Sequence, residues 1–282
     1  MKYFLDTEFL EGTQKSLLGK TNPTIDLISI GIVSEDGREY YAISEDFNLK
    51  EAWNRYDLKE VSGKDLRSWQ INRSIIFKDT KTYKKVYWIR ENVLKPIWEE
   101  LKVKEYGGSI TRNFTYNNFK WLIKEYGKTN KQIAEEIKEF CSIGSVISNS
   151  GYNVKHYKEY NDSVNTWIKV ETIEKNNPVH YDNKPQFYAY YADYDWVVFC
   201  WLFGKMIDLP SGFPMYCIDL KQEVDNYISK TWKDVEMSTW GHGGITLNKL
   251  KQHPNYPKQT NEHNALADAR WNKELYEFLE NI

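Results

Sequence analysis

The chain opens on an apolar run that ends in acids, with Tyr3-Phe4-Leu5 preceding Asp6-Thr7-Glu8. The pattern predicts a strand over Lys2 to Phe9 whose first half is apolar on both faces, as a central strand requires. A polar loop with Gly12, Gly19 and Pro23 is expected next. Two further apolar runs, Ile25 to Val33 and Glu39 to Ile43, flank Asp36-Gly37. That dipeptide predicts a tight hairpin, because glycine accepts the positive φ such a turn needs. The chain should therefore begin with three antiparallel strands, the first ending in carboxylates.

Farther along, Tyr87 to Leu101 reads as helical, and Thr129-Asn-Lys-Gln132 as a capping box opening a helix to Cys141, with Ile133, Ile137 and Phe140 on one face. Ser145 to Ser148 suits a short strand, and Gly151 to Pro185 is polar with little period. Gln186 to Ala192 is strand-like. Trp196 to Phe203 is apolar nearly all round and predicts a buried helix, and Met215 to Leu220 suits another strand. A loop-rich stretch, Val235 to Lys258, leads to a last helix, Ala265 to Leu279.

Composition narrows the class. With 282 residues, 41% hydrophobic and 28% charged, the chain can bury a sizeable core and has the balance of a soluble globular protein. A net charge of −2 excludes a strongly basic nucleic-acid coat. It leaves room for a nucleic-acid enzyme, since a site built of carboxylates recovers positive potential on binding cations. Aromatics at 16% supply either core or stacking platforms for bases. Cys141, Cys200 and Cys217 lie in apolar stretches and read as free thiols of a reducing compartment. Asp6 and Glu8 interrupt any signal peptide, and no apolar run of about 18 residues could span a membrane. A cytoplasmic location is expected.

The chemistry lies in three carboxylate elements. On a strand Asp6 and Glu8 point to one side and Thr7 to the other. At about 4 Å and an effective dielectric near 20 their repulsion is on the order of 4 kcal/mol, which a divalent cation removes. The spacing alone is weak evidence, because Asp234-Val-Glu236 repeats it. The second element is His263-Asn-Ala-Leu-Ala-Asp268. With Asn264 near the helix cap, His263 can fold back from the preceding loop. Asp268 falls on the stripe of Trp271, Leu275 and Phe278, where a carboxylate needs a partner. In the third, Asp193-Tyr-Asp195, Asp193 suits a helix cap, and Asp195 shares a stripe with Val198, Phe199 and Leu202. Asp195 is the preferred ligand, with Asp193 as the alternative.

In this order the elements resemble the histidine-containing DEDD exonucleases, and more closely the mycobacterial-type polyadenylate-specific exoribonuclease AS family. Tyr3-Phe-Leu-Asp-Thr-Glu-Phe-Leu10, Ile28 to Val33, Glu35 to Ala42, Trp201-Leu-Phe-Gly204 and His263 to Arg270 carry the likeness. The resemblance implies a single α/β exonuclease domain over residues 1–282. Its fold would be ribonuclease H-like, a mixed sheet of three antiparallel N-terminal strands plus parallel strands, flanked by helices. Insertions are expected at about 54–86, 102–128, 144–185 and 227–258. It further implies 3′→5′ hydrolysis of single-stranded RNA to 5′-mononucleotides, with DNA as the alternative substrate and a non-catalytic nucleic-acid-binding module as the contrary reading. Two Mg²⁺ or Mn²⁺ ions would sit on Asp6, Glu8, Asp195 and Asp268, and a homodimer is implied. His263, whose imidazole can take up a proton, suits the general base; His242 is a second candidate. Phe9 and the cluster Phe187 to Tyr191 offer base-stacking surfaces or core. The Lys-rich stretch Lys78 to Lys104 and the run Arg112 to Trp121 offer either guides for a backbone or solvated helix faces.

Overall fold

The structure, a computed structural model, describes residues 1–15, 21–61, 75–78, 81–106, 112–142, 146–147, 152–161, 166–175, 184–236 and 246–282. The strands are β1 (Lys2–Lys15), β2 (Thr21–Ser34), β3 (Glu39–Ile43), β4 (Asp57–Glu60), β5 (Ile75–Lys78), β6 (Lys81–Val86), β7 (Val146–Ile147), β8 (Tyr152–Asn161), β9 (Thr166–Lys175), β10 (Gln186–Ala189) and β11 (Ile218–Asp219). The helices are α1 (Leu49–Asn54), α2 (Lys95–Tyr106, entered through a π-helical turn at Arg90–Leu94), α3 (Tyr116–Tyr126), α4 (Asn130–Ser142), α5 (Ala192–Leu202), α6 (Leu220–Glu236), α7 (Leu247–Lys251) and α8 (Ala265–Glu280).

The main sheet is mixed, in the order β11-β10-β1-β2-β3. The three N-terminal strands pair antiparallel, and β10 and β11 add in parallel beside β1. Helices cover both faces, because alternate residues of β1 feed different cores. Tyr3 and Leu5 pack with Ile133 and Ile137 of α4 and with Trp196 and Phe199 of α5. Phe4 packs on the other side with Leu220 and Val224 of α6 and with Trp271, Leu275 and Phe278 of α8. A third cluster, with Trp98, Leu101, Phe119 and Leu122, holds α2 and α3 against Leu10 and Ile28.

The expected loop after Phe9 is instead a continuation of the hairpin. β1 and β2 stay paired out to Lys15 and Thr21, beyond the strands that flank them. Pro23 is tolerated because there, among the described residues, the ribbon has no third strand to receive an N–H. Between Glu8 and Phe9 the register slips, so that Glu8 faces Ser29 and Phe9 faces Leu27. The extra residue, Ile28, is fully buried in the third cluster. The bulge thus falls at the end of the acidic strand, where a change of strand direction re-aims side chains.

Other expectations need correction too. Residues 54–86 and 144–185 carry two separate three-stranded sheets, β4-β6-β5 and β7-β8-β9. In the second, Ile168-Lys-Val-Glu-Thr172 alternates apolar or β-branched with charged residues, a strand signal masked by the polar average. Helix α6 was also unforeseen, though Leu220, Val224, Tyr227 and Ile228 have helical spacing and all meet the core. Asp234-Val-Glu236 closes this helix rather than a strand. The capping box is present: Gln132 N donates to Thr129 Oγ1 at 3.2 Å and Thr129 N donates to Gln132 Oε1 at 2.9 Å. The cysteines are free, and burial pushes the Cys200 thiol up to about 11. Among the described residues no helix is long and apolar enough to cross a membrane.

Gly31 sets how closely α8 approaches the sheet. A Cβ there would lie 2.3 Å from the Ala265 carbonyl oxygen and 2.4 Å from Leu266 Cα, so only hydrogen lets the helix start rest on β2. Gly31→Ala should therefore lower stability by about 1–3 kcal/mol, the usual cost of overpacking, measurable by urea denaturation. Unchanged stability would show that α8 can shift freely.

Candidate active site

Asp6 and Glu8 share the face of β1 that carries Phe4, the face covered by α8. Asp268 lies in the first turn of α8. Carboxylate oxygens of Asp6, Glu8 and Asp268 lie within 4.8 Å of one another. They line a cleft of about 450 Å³ together with Phe9, Tyr191, Tyr194, Asp195 and His263.

The last helix is positioned as its cap predicts. Asn264 is the N-cap and accepts from Ala267 N through its side chain at 3.0 Å. Asn272 Nδ2 donates to the Leu5 carbonyl at 2.9 Å, which ties α8 to β1 one turn beyond Asp268. Asp268 is held by two donors: Gln259 Nε2 on Oδ1 at 2.7 Å and the His263 backbone N–H on Oδ2 at 2.9 Å. To make that second bond the chain takes left-handed backbone at Asn261 (φ 55°) and His263 (φ 68°). Both are residue types that tolerate it better than most. His263 thereby folds back over the cleft. Its Nδ1 lies 4.0 Å from Glu8 Oε1, and its ring meets the edge of Trp88 at 4.8 Å between centroids.

Asp195 enters from the opposite side. Helix α5 begins at Ala192, with Tyr191 in left-handed backbone at the cap (φ 58°) and no capping side chain. Asp193 is therefore not the cap; it is exposed and does not line the cleft. Asp195 is buried, and its Oδ1 accepts from both Thr7 N at 2.9 Å and Thr7 Oγ1 at 2.6 Å. Thr7, which faces away from the other acids, is what ties this carboxylate to β1. Asp195 lines the same cleft but stands outside the tight trio.

The electrostatics follow from burial. Burial raises the Asp6 carboxyl well above its ordinary range, and Asp195, Glu8 and Asp268 add repulsion. Glu8 is pushed up to about 8, first by burial and then by Asp268 and Asp195. Asp195 rises to about 7 through burial, against the opposing pull of its Thr7 hydrogen bonds. Asp268 is raised by burial despite its two donors. These carboxyls thus resist ionisation until a cation balances them.

Other candidates are sorted by position. Phe9 lines the cleft and stacks on Tyr194 at 5.5 Å. Of the cluster Phe187 to Tyr191, Phe187 and Tyr188 are core, whereas Tyr190 and Tyr191 line the cleft. Arg112, just before α3, lies over Trp121 of that helix. His242 lies outside the described residues. Sequence reasoning missed Gln259, Thr7 and Trp88, whose roles depend on contacts made across the fold.

The sequence profile of the 3′-5′ exoribonuclease Rv2179c-like domain matches residues 120–279, more than half of the chain. This chain belongs to the Rv2179c-like family. The matched segment contains Asp195, His263 and Asp268, while Asp6 and Glu8 lie N-terminal to it. Two proteins of Mycobacterium tuberculosis, 3′-5′ exoribonuclease Rv2179c of strain H37Rv and 3′-5′ exoribonuclease MT2234.1 of strain CDC 1551, are 52% identical to the chain over 52 residues. That is 18% of this chain and 26% of each relative, so the match spans about a quarter of their length.

A pH prediction follows from the raised acids. Glu8 holds its proton in the folded state up to about 8, while its ordinary value is 4.5. The folded state therefore binds more protons across that interval, and rising pH removes stability. In EDTA the melting temperature should fall as pH rises from about 5 to about 8, and Glu8→Gln should decline less and melt higher at the upper end. Identical pH profiles for the two proteins would refute the assigned cause.

Proposed function

We propose that the chain is a metal-dependent 3′→5′ exoribonuclease of ribonuclease H-like, DEDDh type, acting as one domain over residues 1–282 on single-stranded RNA. The observation that carries this is the meeting of Asp6, Glu8 and Asp268 within 4.8 Å under His263, in a chain of a family described as 3′-5′ exoribonuclease. The donor set fits Mg²⁺ or Mn²⁺, because hard divalent cations take oxygen ligands and three carboxyl groups converge here within 4.8 Å. Asp6, Glu8 and Asp268 would hold the metal, and Asp195 would join them through Oδ2, which takes neither Thr7 bond. When bound, the metal pair supplies Lewis acidity for activating water and stabilising the departing 3′ oxygen.

The remaining work falls to the chain. His263 takes the proton of the attacking water on its imidazole, and Glu8 at 4.0 Å stabilises the imidazolium so formed. Gln259 and the His263 backbone fix the Asp268 carboxylate, so its lone pairs point into the cleft without reorganisation. The Phe9–Tyr194 stack offers an apolar wall for the terminal base.

The test uses RNA and DNA labelled at either end, with Mg²⁺, Mn²⁺ or EDTA. Shortening of RNA from the 3′ end only with metal is expected, and no metal-dependent shortening of any substrate would overturn the reading. Shortening of DNA alone would reassign the substrate. His263→Ala should lower kcat by about 10²–10⁴-fold, the usual span of general-base catalysis, while metal still raises the melting temperature. Full activity in that variant would remove His263 from its role.

A further inference from the structure

An aromatic and cationic ledge leads away from His263 on the segment that joins the β4-β6-β5 sheet to α2. Trp88, whose edge meets the His263 ring at 4.8 Å, is 42% exposed. Its neighbour Tyr87 has the Arg90 guanidinium over its ring at 3.8 Å. Tyr87 in turn meets the edge of Tyr56 at 5.8 Å. Tyr56 carries the Lys85 ammonium over its ring at 4.1 Å and is itself 41% exposed. A core role for Trp88 and Tyr56 does not fit such exposure, and the Lys85 ammonium does not seal the Tyr56 ring from solvent. Stacking faces beside fixed positive charge are the pattern that holds single-stranded nucleic acid without reading its sequence.

Resting on the function proposed above, we propose that this ledge is the track for the single-stranded RNA upstream of the cleaved end. Two arguments fix the occupant. The ledge begins at the ring touching His263, so a strand whose 3′ end lies in the cleft reaches it directly. Its far end also presents the Lys85 ammonium, while the Arg90 guanidinium over Tyr87 is shared with Glu91 at 3.3 Å, so the ledge offers phosphates a positive partner where the cleft offers only carboxyl groups. Tyr56 and Lys85 stand at its far end, away from the reacting atoms, and should affect long substrates alone.

The test pairs binding with turnover in wild type and in the double variant Tyr56→Ala, Lys85→Ala. Binding of a 5′-labelled RNA dodecamer is measured by fluorescence anisotropy in EDTA, where no cleavage interferes. About a tenfold loss is expected, from one stacked base and one phosphate contact. With Mg²⁺, KM for the dodecamer should rise about as much at unchanged kcat, and hydrolysis of a dinucleotide should stay at the wild-type rate. Tyr56→Phe, which keeps the ring, should bind as wild type, and this separates loss of stacking from misfolding. Equal dodecamer affinity in wild type and double variant would overturn the ledge whatever the activity. An equal loss on the dinucleotide would overturn it as well, by moving the effect into the cleft. Wild type that binds the dodecamer through the ledge but shortens nothing would instead sink the exonuclease reading and leave the ledge standing.

Discussion

The crowding of enclosed carboxyl groups at the end of β1 is the constraint around which the structure is arranged. Asp6, Glu8 and Asp268 share one small volume, with Asp195 beside them, and each is raised chiefly by burial. Left to themselves such groups would swing toward water. Here each is held in place by its neighbours. Asp6 and Glu8 are fixed by a central strand, Asp195 by two bonds from Thr7, and Asp268 by Gln259 and a backbone N–H. The native state thus keeps an arrangement that opposes its own stability, as preorganised sites do.

Small structural details follow from that requirement. Gly31 is where α8 touches the sheet, and even a methyl group there would move the helix that carries Asp268. The Asn272 bond to the Leu5 carbonyl sets the helix along the strand axis, next to the residue that precedes Asp6. The bulge falls just beyond Glu8, and its extra residue, Ile28, is buried among α2 and α3. The left-handed backbone at His263 lets one residue donate to Asp268 and present its ring to Glu8. These are separate devices, on three elements, with one geometric result.

Much of this was legible in the sequence wherever a local period fixes direction. The two-residue repeat places Asp6 and Glu8 on one side, the helical stripe places Asp268 inward, and Asn264 marks the cap that leaves His263 in the loop. The three antiparallel strands were readable from Asp36-Gly37, whose glycine does take positive φ (85°). What failed was whatever depends on partners. Asp193 looks like a cap, yet Tyr191 occupies that place, because the turn is fixed by Asp219, whose Oδ1 accepts from Tyr191 N at 3.1 Å. The ribbon beyond Phe9 read as a loop since its glycine and proline are tolerable in a two-stranded extension that no local rule announces. Thr7, Gln259 and Trp88 carry no motif; they matter only through residues distant in sequence.

The charge distribution joins these observations into one argument about ligand order. A phosphate backbone approaching the acid cluster finds no positive partner there, and at about 4 Å with an effective dielectric near 20 each carboxylate that is ionised costs on the order of 4 kcal/mol. Under the proposed function, cations in the cluster must therefore strengthen RNA binding, and by reciprocity RNA must strengthen cation binding. The cations over Tyr56 and Tyr87 lie outside the cluster and lack that dependence. A strand can then be held by its upstream portion while its 3′ end enters only a charge-neutralised cleft. A chain with net charge −2 needs no basic surface overall to act on nucleic acid; it needs its few cations placed beside, rather than within, its acids.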